Sequence, residues 1–514
     1  MPCPPAEETF RVSDDQPPAP AASNHVDVVI VGAGISGISA AYHLQRDCPD
    51  KTYAVLEARP RAGGTWDQFR YPGIRSDADM FTYGFGFNPW LSTTAIADGA
   101  DILAYIRDTA RRFGIDRQIR FNHRVAGAQW SSQTGRWTLD VERDGEPVTI
   151  SCAFLLVCGG YFDYAAGYLP DYPQRSRFGG VLVDPQYWPA DLDHAGKRVV
   201  IIGSGSTAVS LLPVLARTAA SVTMLQRSPS YVLSMPAVDH LAKLLSKILP
   251  ARAMWSIVRA KNIFRMTVAY HMCKGVPRFM RAVFRGAMKH ALPKGYPVDT
   301  HFNPRYLPWD QAISIVPDND FFEALHGDTA RVVTDELVQF TETGLELKSG
   351  TGLPADIVVS ATGFRLKFLG GIELVVDGEE IDPGQRVCYQ DMMLEGVPNL
   401  VFSLGYSNLS WTLKSDLTAE YACRLINHLD ARGQHRVAPA RADAALARTP
   451  YLEQNSTYAL RDIDAFPKRG TESPWRLRAV LPVDALNLRY RRIDDGVLQF
   501  GTTAPAIETP SAAH

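Results

Sequence analysis

The sequence is poor in several features that would assign it to a class at once. Nowhere does it hold the ~18–20 consecutive apolar residues that cross a bilayer as a helix, so no transmembrane span is expected. Its first 25 residues are rich in Pro, Ala and acids and lack the basic start and apolar stretch of a secretory signal. They read as a disordered lead-in over 1–25. Cysteine is sparse, seven residues at 3, 48, 152, 158, 273, 388 and 423, without a CxxC pair or a metal-knuckle spacing. That excludes a disulfide framework and a cysteine metal site, and fits reduced thiols in the cytoplasm. Net basicity is missing too. The formal charge is −2, which argues against a nucleic-acid partner. What is present is an ordinary globular composition, 46% hydrophobic and 21% charged, in 514 residues, a length that predicts more than one domain.

The informative residues are glycines in two places. Val26 to Val31 is a short β-branched run that reads as a buried parallel strand, and Gly32-Ala-Gly34-Ile-Ser-Gly37 follows at once. Gly32 permits a tight turn, Gly34 lets backbone approach a pyrophosphate, and Gly37 lets helix and strand pack closely. The next strand, 53–56, ends in Glu57, twenty residues beyond Gly37. An acid there accepts from a ribose diol and repels a 2′-phosphate, which suits FAD or NAD.

The second unit repeats this logic with one change. A strand over 198–202 runs into Gly203-Ser-Gly205-Ser206-Thr207-Ala208, and the following strand ends in Gln226-Arg227-Ser228 with no acid. Arg227 offers a fixed cationic fork for a 2′-phosphate, which specifies NADPH. Turns so far apart belong to two domains, and a flavin with a nicotinamide implies hydride transfer between them.

Segments ending in Gly159-Gly160 and in Gly363 look like crossings between one domain and another inserted in it. The expected fold is α/β, with two Rossmann-like dinucleotide-binding domains. An FAD domain spans 26–164 and 356–514, and an NADPH domain spans 165–355 with a helical subdomain at about 235–300. From 240 to 298 there are twelve Lys or Arg and no Asp or Glu, interleaved with Leu, Ile, Met, Phe and Trp at helical spacing. This segment reads as helices packed on the NADPH domain with solvated basic faces, or as a peripheral membrane contact or the lining for an apolar substrate.

With these residues in view, the chain resembles the class B flavoprotein monooxygenases over about 25–500. It is most similar to the Baeyer–Villiger subfamily of the ethionamide-activating type. The resemblance rests on Gly63-Gly64-Thr65-Trp66-Asp67 with Tyr71-Pro72-Gly73 and Asp77, on Phe178-Gly-Gly180 with Trp188-Pro189, on Pro308-Trp309-Asp310-Gln311, and on Trp411-Thr-Leu-Lys414. It implies that Gly64, Thr65, Trp66, Asp67, Asp77, Tyr83 and Val125 contact FAD. It also implies that Gly203, Gly205, Ser206, Thr207, Ala208, Arg227, Ser228 and Gln311 belong to the cofactor sites, and that Trp411 sits near the nicotinamide ribose. The implied reaction uses NADPH and O2 and inserts one oxygen atom, through a flavin C4a-peroxide, into a small and apolar organic substrate.

Two positions depart from the family pattern. Asp184 stands where the linker fingerprint has His, so an acceptor replaces a group that can also donate. Ala312 stands just after Gln311, where the family has the Arg that pairs with the Asp matching Asp77. Three consequences stay open. Arg305 or Arg75 substitutes and ketones become esters or lactones; or a protonated oxidant attacks sulfur or nitrogen; or the chain is an NADPH oxidase or flavin-binding protein without oxygen transfer.

Overall fold

The computed structural model describes residues 24–452 and 455–502. All but the end of the expected lead-in, and Cys3, lie outside the described residues. Two sheets organise the chain. The first runs Glu379–Ile381, Glu373–Val376, His123–Ser131, Arg136–Arg143, Glu146–Val157, His25–Val31, Tyr53–Leu56, Ile119–Arg120, with Leu400–Phe402 also paired to Glu146–Val157. Its centre is parallel and covered on both faces, which is why Val28, Val29 and Ile30 are all buried. The helix Ile35–Asp47 covers one face and packs against the long helix Trp411–Ala431. The Ser39 hydroxyl donates to Asp416 across that contact at 2.6 Å.

The second sheet is wholly parallel, in the order Ala330–Thr334, Ser221–Gln226, Arg198–Ile202, Ile357–Ser360, Val181–Val183. Here the expected boundary at 355/356 is corrected. Ile357–Ser360 pairs with Arg198–Ile202 inside this sheet, so the return crossing comes after Ser360. Four buried β-branched or small residues in a row favour a central strand over a linker.

Between the strands Ser221–Gln226 and Ala330–Thr334 lie the helices His240–Leu245, Ala251–Gly275 and Pro277–Ala291. Pro277, at the first position of its helix, sets the break between the two longest. These helices bridge the two halves. Met254 and Val258 pack on Phe81 and Ala95 of the first, while Cys273, Met280 and Phe284 join the core of the second beside Tyr231 and Phe302.

Candidate functional site

Both glycine turns lie where a parallel strand meets a helix, and their conformations follow from crowding. Gly32 has φ +98°, and a Cβ there would lie 2.8 Å from the Cys158 carbonyl oxygen. A Cβ on Gly37 would come within 1.8 Å of the Gly32 carbonyl. Gly64, at φ +56°, faces Gly34 across a gap that a Cβ would narrow to 3.0 Å. Neither helix that follows has a side-chain cap, at Gly34 or at Gly205, so their first N–H groups are open to an anion. Gly205 meets no atom within 4 Å of a built Cβ. Two uncapped helix ends, each entered through a glycine turn, fit two pyrophosphates.

Glu57 is buried and fixed by the turn it serves. One carboxylate oxygen accepts from the Ala33 N–H (2.8 Å) and the other from Arg59 N–H (3.0 Å). A carboxylate has about four acceptor positions, so capacity for a ribose diol remains. Arg227 and Ser228 stand exposed at the end of the strand Ser221–Gln226, as a 2′-phosphate site requires. The Ser204 hydroxyl donates to the Ser228 carbonyl (3.3 Å) and holds that loop against the second turn.

The other residues expected at the cofactor sites have partners within the protein. The Asp67 carboxylate meets Arg59, Arg61, Arg70 and Arg107 within 2.6–3.4 Å, which anchors its loop. Val125 is buried in the core of the first sheet beside a bulge, which leaves only its backbone for a cofactor. The Trp411 indole donates to the Ser36 hydroxyl (2.7 Å) and stacks on Tyr161, so it sits on the first turn. Gln311 donates to the Asn455 carbonyl at 3.2 Å. Asp184 accepts from the Gln186 N–H (2.9 Å), and burial pushes its carboxyl up. The linker around it reaches the first domain through Gln68, whose amide donates to the Gln186 carbonyl (3.2 Å).

Asp77 is the chemical centre of the cleft. The residue is exposed at its surface, with protein packed densely around it. Desolvation raises it from the usual carboxylate range, and its own backbone and the Ser206 hydroxyl only partly offset that. Four tyrosines surround the cleft near it. Tyr83, Tyr161 and Tyr458 all feel its charge, and Tyr164 neighbours Tyr83 and Tyr161. Tyr83 accepts from the Trp66 indole (2.8 Å), and Tyr164 shares a hydrogen bond with Thr65 (2.9 Å). Of the four, sequence reasoning singles out Tyr83 alone and misses Tyr161, Tyr164 and Tyr458. Only the aromatic density of Tyr161-Phe-Asp-Tyr164 could have flagged the first two.

The segment 71–77 joins the two halves. Tyr71 interacts with Thr207 and Asp77 with Ser206, both in the second turn. A Cβ on Gly73, at φ +77°, would lie 2.6 Å from the Ser210 carbonyl, so this segment lies directly on the second turn's helix. Linkage gives a prediction. A carboxyl raised on folding favours the fold below its unfolded pKa, and that contribution is lost as pH rises through the raised value. Asp77→Asn should therefore raise the melting temperature of the cofactor-loaded protein more at pH 8 than at pH 5, as read by differential scanning fluorimetry. A pH-independent difference would contradict it.

No arginine acts on Asp77 from the expected places. Arg75 grips Asp320 with both terminal nitrogens (2.5 and 3.3 Å) and its side chain is only 6% exposed. Arg305 is exposed and, among the described residues, makes no hydrogen bond or ion pair. Ala312 lies exposed two residues before Ser314, whose hydroxyl is 3.3 Å from that of Ser206.

Two dinucleotide turns on two sheets, joined through the segment 71–77, fit a two-cofactor flavoprotein. Comparison with known proteins carries this further. Residues 30–94 match the NAD(P)-binding Rossmann-like domain and 94–263 the flavin-binding monooxygenase-like family. The chain is 47% identical to the FAD-containing monooxygenase EthA of Mycobacterium tuberculosis, covering 93% of this chain and 98% of that protein. It is 46% identical to EthA of Mycolicibacterium smegmatis over 95% and 100%. An oxidised steroid monooxygenase bound to NADP superposes with a TM-score of 0.69 at 25% identity, over 81% and 88%. An open cyclohexanone monooxygenase shares the fold, with a TM-score of 0.70 at 21% identity over 93% and 100%. The chain belongs to the flavin-binding monooxygenase-like family. It is a flavin-dependent NADPH monooxygenase whose cofactors are FAD and NADPH.

Proposed function

We propose that this monooxygenase delivers oxygen to soft nucleophilic heteroatoms, sulfur or nitrogen in apolar small molecules, in preference to carbonyl carbon. The observation that carries the reading is the cleft around Asp77, where Arg75 is committed to Asp320 and Ala312 replaces the expected cation. Flavin reduced by NADPH supplies the oxygen-activating chemistry. The turn at Gly32, Gly34 and Gly37 holds the flavin dinucleotide with Glu57 on its ribose. The turn at Gly203 and Gly205, with Arg227 and Ser228, holds NADPH.

The protein's part is to set which charges the cleft tolerates. Attack on a ketone builds negative charge that a preorganised cation must stabilise, and one such donor is worth about 10²–10³ in rate. Transfer to a thioether or amine builds no such charge and needs no cation. Tyrosine hydroxyls raised by burial, and a carboxyl that desolvation raises from the usual carboxylate range, suit the second case. The aromatic group Phe69, Phe162 and Phe364, with ring centroids 4.9–5.8 Å apart, makes part of the same region apolar.

A panel of thioethers, tertiary amines and ketones, turned over by the FAD-loaded enzyme with NADPH, tests this by product mass. Sulfoxides and N-oxides should dominate. Esters or lactones without sulfoxide or N-oxide would overturn it, as would hydrogen peroxide matching NADPH consumption with every compound.

A further inference from the structure

The basic helical insertion has an apolar side that the fold leaves uncovered. Its inward residues are accounted for, since Met254, Val258, Cys273, Met280 and Phe284 are buried in the two cores. The outward side holds a second stripe. Ile257, Phe264, Val268 and Met272 follow at spacings of seven, four and four, which keeps them on one helix face. Phe279 and Val283 extend it on the next helix, and Leu244 and Ile248 stand at the other end. Ile248 and Phe264 are each 71% exposed. Scattered exposed apolar residues are ordinary, but a run of them on consecutive helices marks a contact surface.

The charges on this segment have the same character. Five of its cations are occupied inside the fold, among them Lys261 with Asp239, Lys274 with Asp310 and Arg285 with Asp299. By contrast the side chains of Lys243, Lys247, Arg252, Arg265 and Arg278 form no ion pair or hydrogen bond among the described residues. They flank the apolar stripe in a chain whose formal net charge is −2, so positive charge is concentrated on one side of the molecule.

We propose that this face docks on an anionic lipid bilayer. Unpaired cations around exposed Phe, Ile and Leu match acidic headgroups over an acyl boundary. A second copy of the chain would bring like charges together on the same face, and a nucleic acid would leave the apolar stripe without a partner. Among the described residues no helix is long and apolar enough to cross a membrane, so the contact lies in the interface. The inner side of the same helix touches the flavin side of the cleft. Arg259 donates to the carbonyls of Phe81 (2.7 Å) and Gly84 (3.0 Å), and the Asn262 amide donates to Asp79 (2.9 Å). Docking would thus place the cleft near solutes dissolved in the bilayer, whichever atom of them is oxygenated.

Flotation of the FAD-loaded protein with vesicles tests the proposal. Vesicles of phosphatidylcholine mixed with phosphatidylglycerol should carry the protein, and phosphatidylcholine alone should not. Raised salt should weaken the binding. Lys243→Gln with Arg265→Gln should lower partitioning about fivefold per charge removed. Phe264→Ser with Phe279→Ser should lower it at least as much, with bound flavin and NADPH oxidation unchanged. Equal recovery with neutral and anionic vesicles, or none with either, would overturn the proposal. So would dimerisation in light scattering that Phe264→Ser abolishes.

Discussion

Replacing Ala312 with arginine should give the enzyme ketone-to-ester turnover about 10²-fold or more above that of the parent chain. The argument is local. Ala312 is exposed two residues before Ser314, and the Ser314 hydroxyl lies 3.3 Å from Ser206, the residue that interacts with Asp77. A guanidinium extended from position 312 therefore has an acid to orient it. It would also pull the Asp77 carboxyl back toward the ordinary range, because an opposite charge favours the ionised form. The variant's ketone activity should then depend less on pH above that range than any residual parent activity. Sulfoxide formation should change only a few-fold, since it needs no cation. Ala312→Gln is the control, of comparable reach without charge. Product analysis showing equal ester formation by Ala312→Arg and Ala312→Gln would sink the charge argument.

The parts of this site that were legible in sequence are those fixed by local chemistry. A turn needing φ > 0 writes itself as glycine, and a strand-end acid or arginine keeps a constant offset from its turn. Glu57, Gly32 and Gly203 were readable for that reason. Asp77 and Ala312 were readable only through motif resemblance. Illegible were the contacts set by convergence. Nothing near Arg75 announces that Asp320, far along the chain, will take both its nitrogens. Asp67 sits inside the flavin-side motif, and the arginines around it come partly from another helix, which the motif does not announce. The strand Ile357–Ser360 was assigned to the wrong sheet because a buried parallel strand reads alike in either Rossmann domain. For the helical insertion, composition gave the charge, but only packing separated the buried apolar stripe from the exposed one.

The two turns use glycine for different reasons, and paired substitutions should separate them. Gly37→Ala should yield a protein without flavin. The added Cβ falls 1.8 Å from the Gly32 carbonyl, and Gly32 cannot retreat because it is itself pressed against Cys158 at φ +98°. The turn must therefore open, and with it the Ala33 N–H leaves Glu57. Gly205→Ala should behave otherwise. Its φ is −83°, open to any residue, and no protein atom lies within 4 Å of the new methyl. The chain should fold and keep its FAD. The methyl instead enters the space through which backbone approaches the NADPH pyrophosphate. Overpacking by one methyl costs about 1–3 kcal/mol, so KM for NADPH should rise about 5- to 150-fold. Flavin absorbance per chain and steady-state NADPH kinetics read the two outcomes separately. An unchanged KM in Gly205→Ala would show that the pyrophosphate does not pass over this turn. Full flavin content in Gly37→Ala would show that the first turn can absorb a clash with its own backbone.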